Sequence, residues 1–273
     1  MTSAECVALA NALLPVVLAA ARIQLGYFES GVAVQTKADT TPVTLADQES
    51  EAVILAGLAA IAPGIPVVAE EAMAAGTMPA IGERFFLVDP LDGTREFIAG
   101  RPEFTVNIAL VERGVPVFGL VYAPAAGRLF VTLGPEQAIE ALIAATSAVQ
   151  RIDDLQPTTI RARQPDPAAL VAVASRSHMT AATEAYLARF HIADRRQAGS
   201  SMKFCLIARG DADLYPRIGG KTCEWDIAAG HAVLAAAGGR VVQPDGSPMP
   251  YGRSAARFVN GDYVAWGREV VAG

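Results

Sequence analysis

Between Ala4 and Leu25 apolar residues recur at helical spacing, and Gly26 predicts the stop. A polar stretch, KADTTPVT (37–44), reads as a loop or hairpin leading into a second helix. That helix begins near Asp47, carries Glu49 and Glu51 in its early turns and ends at Pro63-Gly64. IPVVAEEA (65–72) predicts a short strand finishing in two glutamates, and RFFLVDP (84–90) another that delivers Asp89. From Phe104 to Gly134 the pattern alternates, with turn signals at Arg113-Gly114 and Ala126-Gly127, which predicts an antiparallel meander.

After Gly134 the periodicity weakens, and RIDDLQP (151–157) reads as a linker or an edge. ALVAVASRSH (169–178) predicts a strand running into a loop, and TAATEAYLARF (180–190) a helix. SSMKFCLIARGDADLYPRIG (200–219) predicts a helix and then a strand. EWDIAAGHAVLAAAGGRVVQP (224–244) predicts a helix closed by Gly238-Gly239 and followed by a strand. The change of pattern divides the chain into an α+β half, 1–150, with a mainly antiparallel sheet, and an α/β half, 151–273, with a mixed sheet. There is no internal repeat.

Composition narrows the function classes. With 273 residues, 52% hydrophobic and 18% charged, the chain can bury a sizeable core. A formal net charge of -6 argues against general attraction to nucleic acid polymers or anionic lipid. Phosphate chemistry would then be local, through a divalent cation or a few placed basic groups. Cys6, Cys205 and Cys223 show neither a C-x-x-C pair nor zinc-ligand spacing, so reduced thiols in a reducing compartment are expected. The N-terminal apolar run has no basic region before it and is interrupted by Asn11, Pro15, Arg22 and Gln24. A packed amphipathic helix is therefore expected, with no integral membrane segment. The expected location is the cytoplasm, compatible with peripheral association at the inner membrane.

The candidate chemistry sits at element ends. Glu70 follows PVVA, Asp89 and Asp92 flank Pro90-Leu91, and Asp226 follows Trp225. Carboxylates at the ends of buried elements are costly unless paired or bound to metal, and hard oxygen donors suit magnesium. The D-P-L-D-G-T turn offers two carboxylates and the Leu91 carbonyl, and Thr94 opens a helix with free amides. Each motif has a plainer reading: Asp-Gly-Thr as a helix cap, the glutamate pair as solvated surface, Asp226 as an N-cap. Their joint placement favours the metal. The D-x-D motif of haloacid-dehalogenase-like phosphatases does not fit, since these acids stand three apart and far from the N-terminus.

KADTTPVTLAD, VVAEE, DPLDGTREFI and EWDIAAGHAVLAAAGG resemble the inositol monophosphatase superfamily of lithium-sensitive, magnesium-dependent phosphatases. DGTREFIAGRPEFTVNIALVERGVPVFGLVYAP, SRSH and GSSMKFCLIARGDADLYPR bring the resemblance closest to its 3'(2'),5'-bisphosphate nucleotidase branch. The resemblance runs over both halves in order. It implies the layered αβαβα sandwich of the sugar-phosphatase type, of α/β (α+β) class, and two or three Mg²⁺ ions with Li⁺ inhibitory. It implies Glu70, Asp89 and the Leu91 carbonyl as ligands of one ion, and Asp89, Asp92 and Asp226 as ligands of a second. Asp47 and Thr94, with Glu70, would activate the attacking water, and transfer would pass directly to that metal-activated water. The Gly93 and Thr94 amides would hold phosphate oxygens. Ser175, His178, Ser200, Lys203 and Arg217 would surround the substrate, with Lys203 and Arg217 on its second phosphate.

The implied activity is hydrolysis of the 3'-phosphate of adenosine 3',5'-bisphosphate to AMP. It extends to the sulfated analogue, 3'-phosphoadenylyl sulfate, and so to sulfate assimilation; a homodimer is implied by resemblance alone. The alternatives are inositol-1-phosphate or fructose-1,6-bisphosphate on the same acids, or a non-catalytic anion-binding relative. For Lys203 the plainer reading is a solvated helix residue, and for His178 an ordinary loop histidine. Two departures stand out. Y-P-R-x-G-P-T before the W-D becomes YPRIGGKTCEWD, with Gly220 in place of proline and one extra residue, Lys221. A glycine-rich turn after the meander becomes LGPEQAIEALIAATSAVQ (133–150).

Overall fold

Helix α1 (Ser3–Ser30) opens on Thr2, whose hydroxyl accepts the Glu5 N–H at 3.3 Å while the Thr2 N–H donates to the Glu5 carboxylate at 2.7 Å. The structure, a computed structural model, describes residues 1–31, 34–36, 42–175 and 179–269. α1 does not stop at Gly26 as the sequence predicts. Its last turn is held by Phe28 against Phe97 and Phe104 (ring centroids 5.5 and 5.2 Å apart) and by the Tyr27 hydroxyl donating to Glu49 at 2.9 Å. Those contacts outweigh the roughly 1 kcal/mol that a helical glycine costs. By length and hydropathy α1 could span a bilayer, yet Leu13, Leu14, Val17 and Ala21 are buried within the protein core, as expected of a packed helix.

Strands β1 (Val34–Thr36) and β2 (Pro42–Thr44) pair antiparallel, and helix α2 (Leu45–Ile61) follows directly. Strand β3 (Val67–Ala69) is shorter than expected, because Glu70 and Glu71 open helix α3 (Glu70–Ala74) instead of closing the strand. The buried Glu51 carboxylate explains this, accepting the Glu71 and Ala72 N–H groups at 2.7 and 2.8 Å and so satisfying free amides of the first turn. Strand β4 (Arg84–Asp92) runs past Asp89 through a register shift and leads into helix α4 (Thr94–Ile98). β5 (Thr105–Glu112), β6 (Val115–Ala123) and β7 (Arg128–Gly134) form the expected meander. β8 (Gln137–Leu142) and β9 (Thr158–Ile160) extend it. The sequence pattern missed β8 because its Gln, Glu, Ala and Leu residues are good helix formers; pairing with β7 overrides that preference.

The second sheet is built from β10 (Leu170–Ala174), β11 (Ile192–Gln197), β12 (Leu214–Arg217), β13 (Arg240–Val242) and β14 (Tyr263–Trp266). Helix α5 (Ala181–Leu187) precedes β11, α6 (Met202–Ala208) precedes β12 and α7 (Glu224–Ala236) precedes β13. Its order is β11-β10-β12-β14-β13, parallel among the first three strands and antiparallel at β14. β11 escaped the sequence pattern because it is an edge strand whose Asp194, Arg195, Arg196 and Gln197 are exposed. The first sheet runs from β3 to β9 in chain order, so its last strand comes from beyond residue 150.

Alternation along β4 sets the layers. Phe86 and Val88 face Leu13, Val17, Ile54 and Leu58 of α1 and α2. Phe85 and Leu87 face the other way, into a cluster with Phe204, Ile227 and Val233 of α6 and α7 that also holds Tyr215, Val241 and Tyr263 of the second sheet. Leu187 of α5 covers the outer face with Leu170, Leu214 and Trp266. The result is the αβαβα sandwich, and the middle helices carry residues from both sheets to one place.

α7 also carries His231, whose Nδ1 lies 2.9 Å from the Tyr251 hydroxyl; burial pushes its pKa down to about 4. The unfolded chain, with an ordinary histidine, binds the extra proton between about pH 6.5 and 4. This contribution to stability is therefore full above about pH 6.5 and is lost as pH falls toward 4, by on the order of 3 kcal/mol. In urea titrations of metal-free protein, His231→Gln is expected to destabilise more at pH 7.5 than at pH 5. A pH-independent difference would show that this histidine does not carry the effect.

Candidate active site

The first sheet delivers its acids through a locked turn at the end of β4. The Leu91 N–H donates to Asp89 Oδ1 at 3.0 Å, and the buried Gln24 amide of α1 donates to the Pro90 carbonyl at 2.6 Å. Gly93 sits at φ 101°, and a Cβ there would come within 2.5 Å of Ser200 Oγ and 2.8 Å of the Glu103 carbonyl. Only glycine fits that backbone at that distance. The Ser200 hydroxyl lies 2.7 Å from the Asp92 carbonyl and 3.0 Å from that of Glu103, so it ties the second half of the chain to the turn.

Four acids from three elements, α3, β4 and α7, meet beside this turn. Oxygens of Glu70, Asp89 and Asp226 lie within 4.8 Å of one another. Asp226 stands in the first turn of α7 and accepts the Cys223 N–H at 2.7 Å. Asp92 lines the same cleft and accepts from the Asn107 amide at 3.3 Å. Burial pushes Asp92 up to about 6, opposed by the charge of Lys203; burial, then repulsion from Asp92 and Glu70, holds Asp226 well above the carboxylate range. Close, buried, mutually repelling carboxylates are stabilised by a bound cation, and an all-oxygen set matches magnesium. The residues therefore fit that ion. Glu70, Asp89 and Asp226 form the tight group, while Asp92 and Leu91 line the cleft alongside.

Asp47 and Thr94 meet across the α2–α4 boundary. Asp47 is 1% exposed and its Oδ2 accepts the Thr44 N–H and hydroxyl at 2.8 and 2.6 Å. Thr94 Oγ1 lies 3.0 Å from Asp47 Oδ1 and 3.3 Å from the Leu91 carbonyl. Burial raises the Asp47 pKa against the pull of the Thr44 bonds.

The cleft, of ≈ 570 Å³, is closed by the second half. Ser175, Ser200, Lys203 and Arg217 line it; His178 lies outside the described residues. Lys203 is not a solvated helix residue: it is buried, with Nζ 5.3 Å from the centre of the Tyr215 ring. Arg217 ends β12, and its Nη2 reaches the Lys221 carbonyl at 3.4 Å. Sequence reasoning missed Glu51 and Gln24, which hold α3 and the Pro90 carbonyl in place. A signal was present: Asp47, Glu51, Ile54 and Leu58 form one helical stripe, as do Leu13, Val17, Ala21 and Gln24, so each polar residue falls on a buried face.

Comparison with known proteins adds relatives to this geometry. The model of the inositol monophosphatase family matches residues 2–272. The 3'(2'),5'-bisphosphate nucleotidase CysQ of Shigella flexneri is 43% identical over 218 residues, 80% of this chain and 82% of the relative. CysQ of Escherichia coli K12 is 42% identical over the same shares. Among solved structures, CysQ from Bacteroides thetaiotaomicron superposes with a TM-score of 0.78 at 32% identity, covering 95% of this chain and 97% of that one. The Thermotoga maritima IMPase shares the fold, with a TM-score of 0.73 at 21% identity over 93% and 89%.

Proposed function

The chain belongs to the inositol monophosphatase family, and we propose that it hydrolyses the 3'-phosphate of adenosine 3',5'-bisphosphate to give AMP and phosphate. The observation that carries this reading is one cleft holding both kinds of group the substrate requires. The acids Glu70, Asp89, Asp92 and Asp226 and the cations Lys203 and Arg217 line the same cleft. A simple phosphomonoester has no use for the second set, whereas a bisphosphate does. The names of the CysQ relatives support the same choice.

Glu70, Asp89, Asp92 and Asp226, with the Leu91 carbonyl, would hold magnesium, which when bound supplies positive charge and Lewis acidity to the transferred phosphoryl group. Thr94 orients the attacking water by accepting one of its protons in a hydrogen bond, with its own hydroxyl proton directed at Asp47. The Gly93 and Thr94 amides contact phosphoryl oxygens. Lys203 and Arg217 hold the 5'-phosphate, and Ser175 and His178 belong to the same substrate shell. Lithium inhibition, action on the sulfated analogue and a cytoplasmic role in sulfate assimilation form part of the proposal.

The test compares kcat/KM for adenosine 3',5'-bisphosphate, inositol 1-phosphate and fructose 1,6-bisphosphate with magnesium present. The nucleotide is expected to lead by at least about tenfold, or ~1.4 kcal/mol. A tenfold lead for inositol phosphate would move the assignment to that substrate, and no magnesium-dependent phosphate release from any of the three would sink the enzymatic reading.

A further inference from the structure

The loop between β12 and α7 is where this chain departs from the Y-P-R-x-G-P-T pattern, and its packing shows what the departure does. Its start is pinned, because the Ile218 carbonyl accepts the Thr180 and Thr183 hydroxyls at 2.6 and 3.1 Å and the Gly219 N–H donates to Asp262 at 2.8 Å. Gly220 then lies flat against the Arg217 guanidinium: a Cβ there would come 2.6 Å from Nε and 2.9 Å from Cζ. The guanidinium also reaches the Lys221 carbonyl. Glycine at 220 thus lets the loop close down on the arginine, fixing its charge, and the extra residue, Lys221, emerges exposed at the rim. Lys221 lines the cleft of the acids and also a neighbouring one of ≈ 580 Å³ that shares Glu70 and Asp226. Among the described residues no carboxylate pairs with its ammonium.

We propose that Lys221 and Arg217 together seat the non-transferred anionic group of the substrate, the phosphate carried by the leaving alcohol. The proposal rests on the nucleotidase reading above. Arg217, buried and clamped by Gly220, supplies a fixed planar fork. Lys221, on a flexible stem, supplies a second charge that closes over the same group from the solvent side. The acids need no such help with the phosphoryl group they process, so the pair acts on substrate selection. The two changes together replace the proline turn with a glycine packed on the arginine and a cation beside it.

Calorimetric binding of AMP, which carries only the retained phosphate, tests this, together with steady-state kinetics on adenosine 3',5'-bisphosphate and on 3'-AMP. Lys221→Gln is expected to weaken AMP binding about tenfold and to raise KM for the bisphosphate similarly, against less than threefold for 3'-AMP, at 0.05 M salt (roughly, where screening is weak). Lys221→Arg should restore most of both. Gly220→Ala should produce the same pattern by displacing the guanidinium. Unaltered AMP binding in Lys221→Gln, or an equal KM change on both substrates, would overturn the proposal. If the wild-type enzyme releases phosphate from neither nucleotide with magnesium present, the nucleotidase reading itself fails; turnover of both with no preference for the bisphosphate would overturn only the assignment of Lys221 and Arg217.

Discussion

Replacing Asp226 by asparagine is expected to lower magnesium-dependent phosphate release at least about a thousandfold, some 4 kcal/mol in the barrier, while the metal-free protein becomes no less stable. The two halves of this result have one cause. Oxygens of Asp226, Glu70 and Asp89 crowd within 4.8 Å of one another, and Asp226 is pushed well above its ordinary range by burial and by its acidic neighbours. An amide keeps the bond to the Cys223 N–H through its oxygen, yet removes one of the repelling charges. Without a cation that removal is a relief. With a cation it deletes a ligand. The rise in melting temperature on adding magnesium should therefore shrink in the variant, in step with turnover. Turnover within tenfold of wild type would sink the metal-cage reading, and a large loss of metal-free stability would show that Asp226 serves chiefly as a helix cap.

The sequence showed these acids because each interrupts an apolar run, and a charge at the end of a buried strand is too costly to keep unless it is paired or bound to a cation. Asp89 and Asp92 were legible from β4 alone. Their grouping with Glu70 and Asp226 depends on α3 and α7 meeting at the end of β4, which periodicity does not encode; family resemblance supplied that link. Local rules failed where tertiary contacts outvoted them. Gly26 does not end α1, because Tyr27 and Phe28 find partners beyond it. Glu70 and Glu71 do not lie on a strand, because Glu51, twenty residues away in sequence, accepts the amides that start a helix there. Ser200, expected beside the substrate, lines the cleft, and its hydroxyl also reaches the carbonyls of Asp92 and Glu103. Glu51 and Ser200 act on the site through backbone groups, and backbone partners leave no pattern in a sequence.

The second large effect is expected at Thr94. Thr94→Ala should lower kcat by about a hundredfold to a thousandfold with KM little changed, the size typical of losing a positioned proton-handling group. Thr94 Oγ1 is the only atom of that side chain with hydrogen-bonding capacity, and its proton lies between Asp47 Oδ1 at 3.0 Å and the Leu91 carbonyl at 3.3 Å. With the proton drawn to Asp47, a lone pair is left to point into the cleft. Asp47 cannot itself reach a water there, since it is 1% exposed and its other oxygen is held by Thr44. In the proposed reaction it is a positioning residue acting through Thr94. Asp47→Asn can retain the Thr44 bonds through Oδ1, but then presents an N–H to Thr94 and turns the hydroxyl proton outward, where it opposes the water. Both variants should therefore lose kcat to a similar degree, and the double variant should lose little more than either. Thr94→Ser, which preserves the hydroxyl, should recover activity to within about tenfold of wild type. Additive losses in the double variant, or a serine variant no better than alanine, would separate the two residues and remove Thr94 from the reaction.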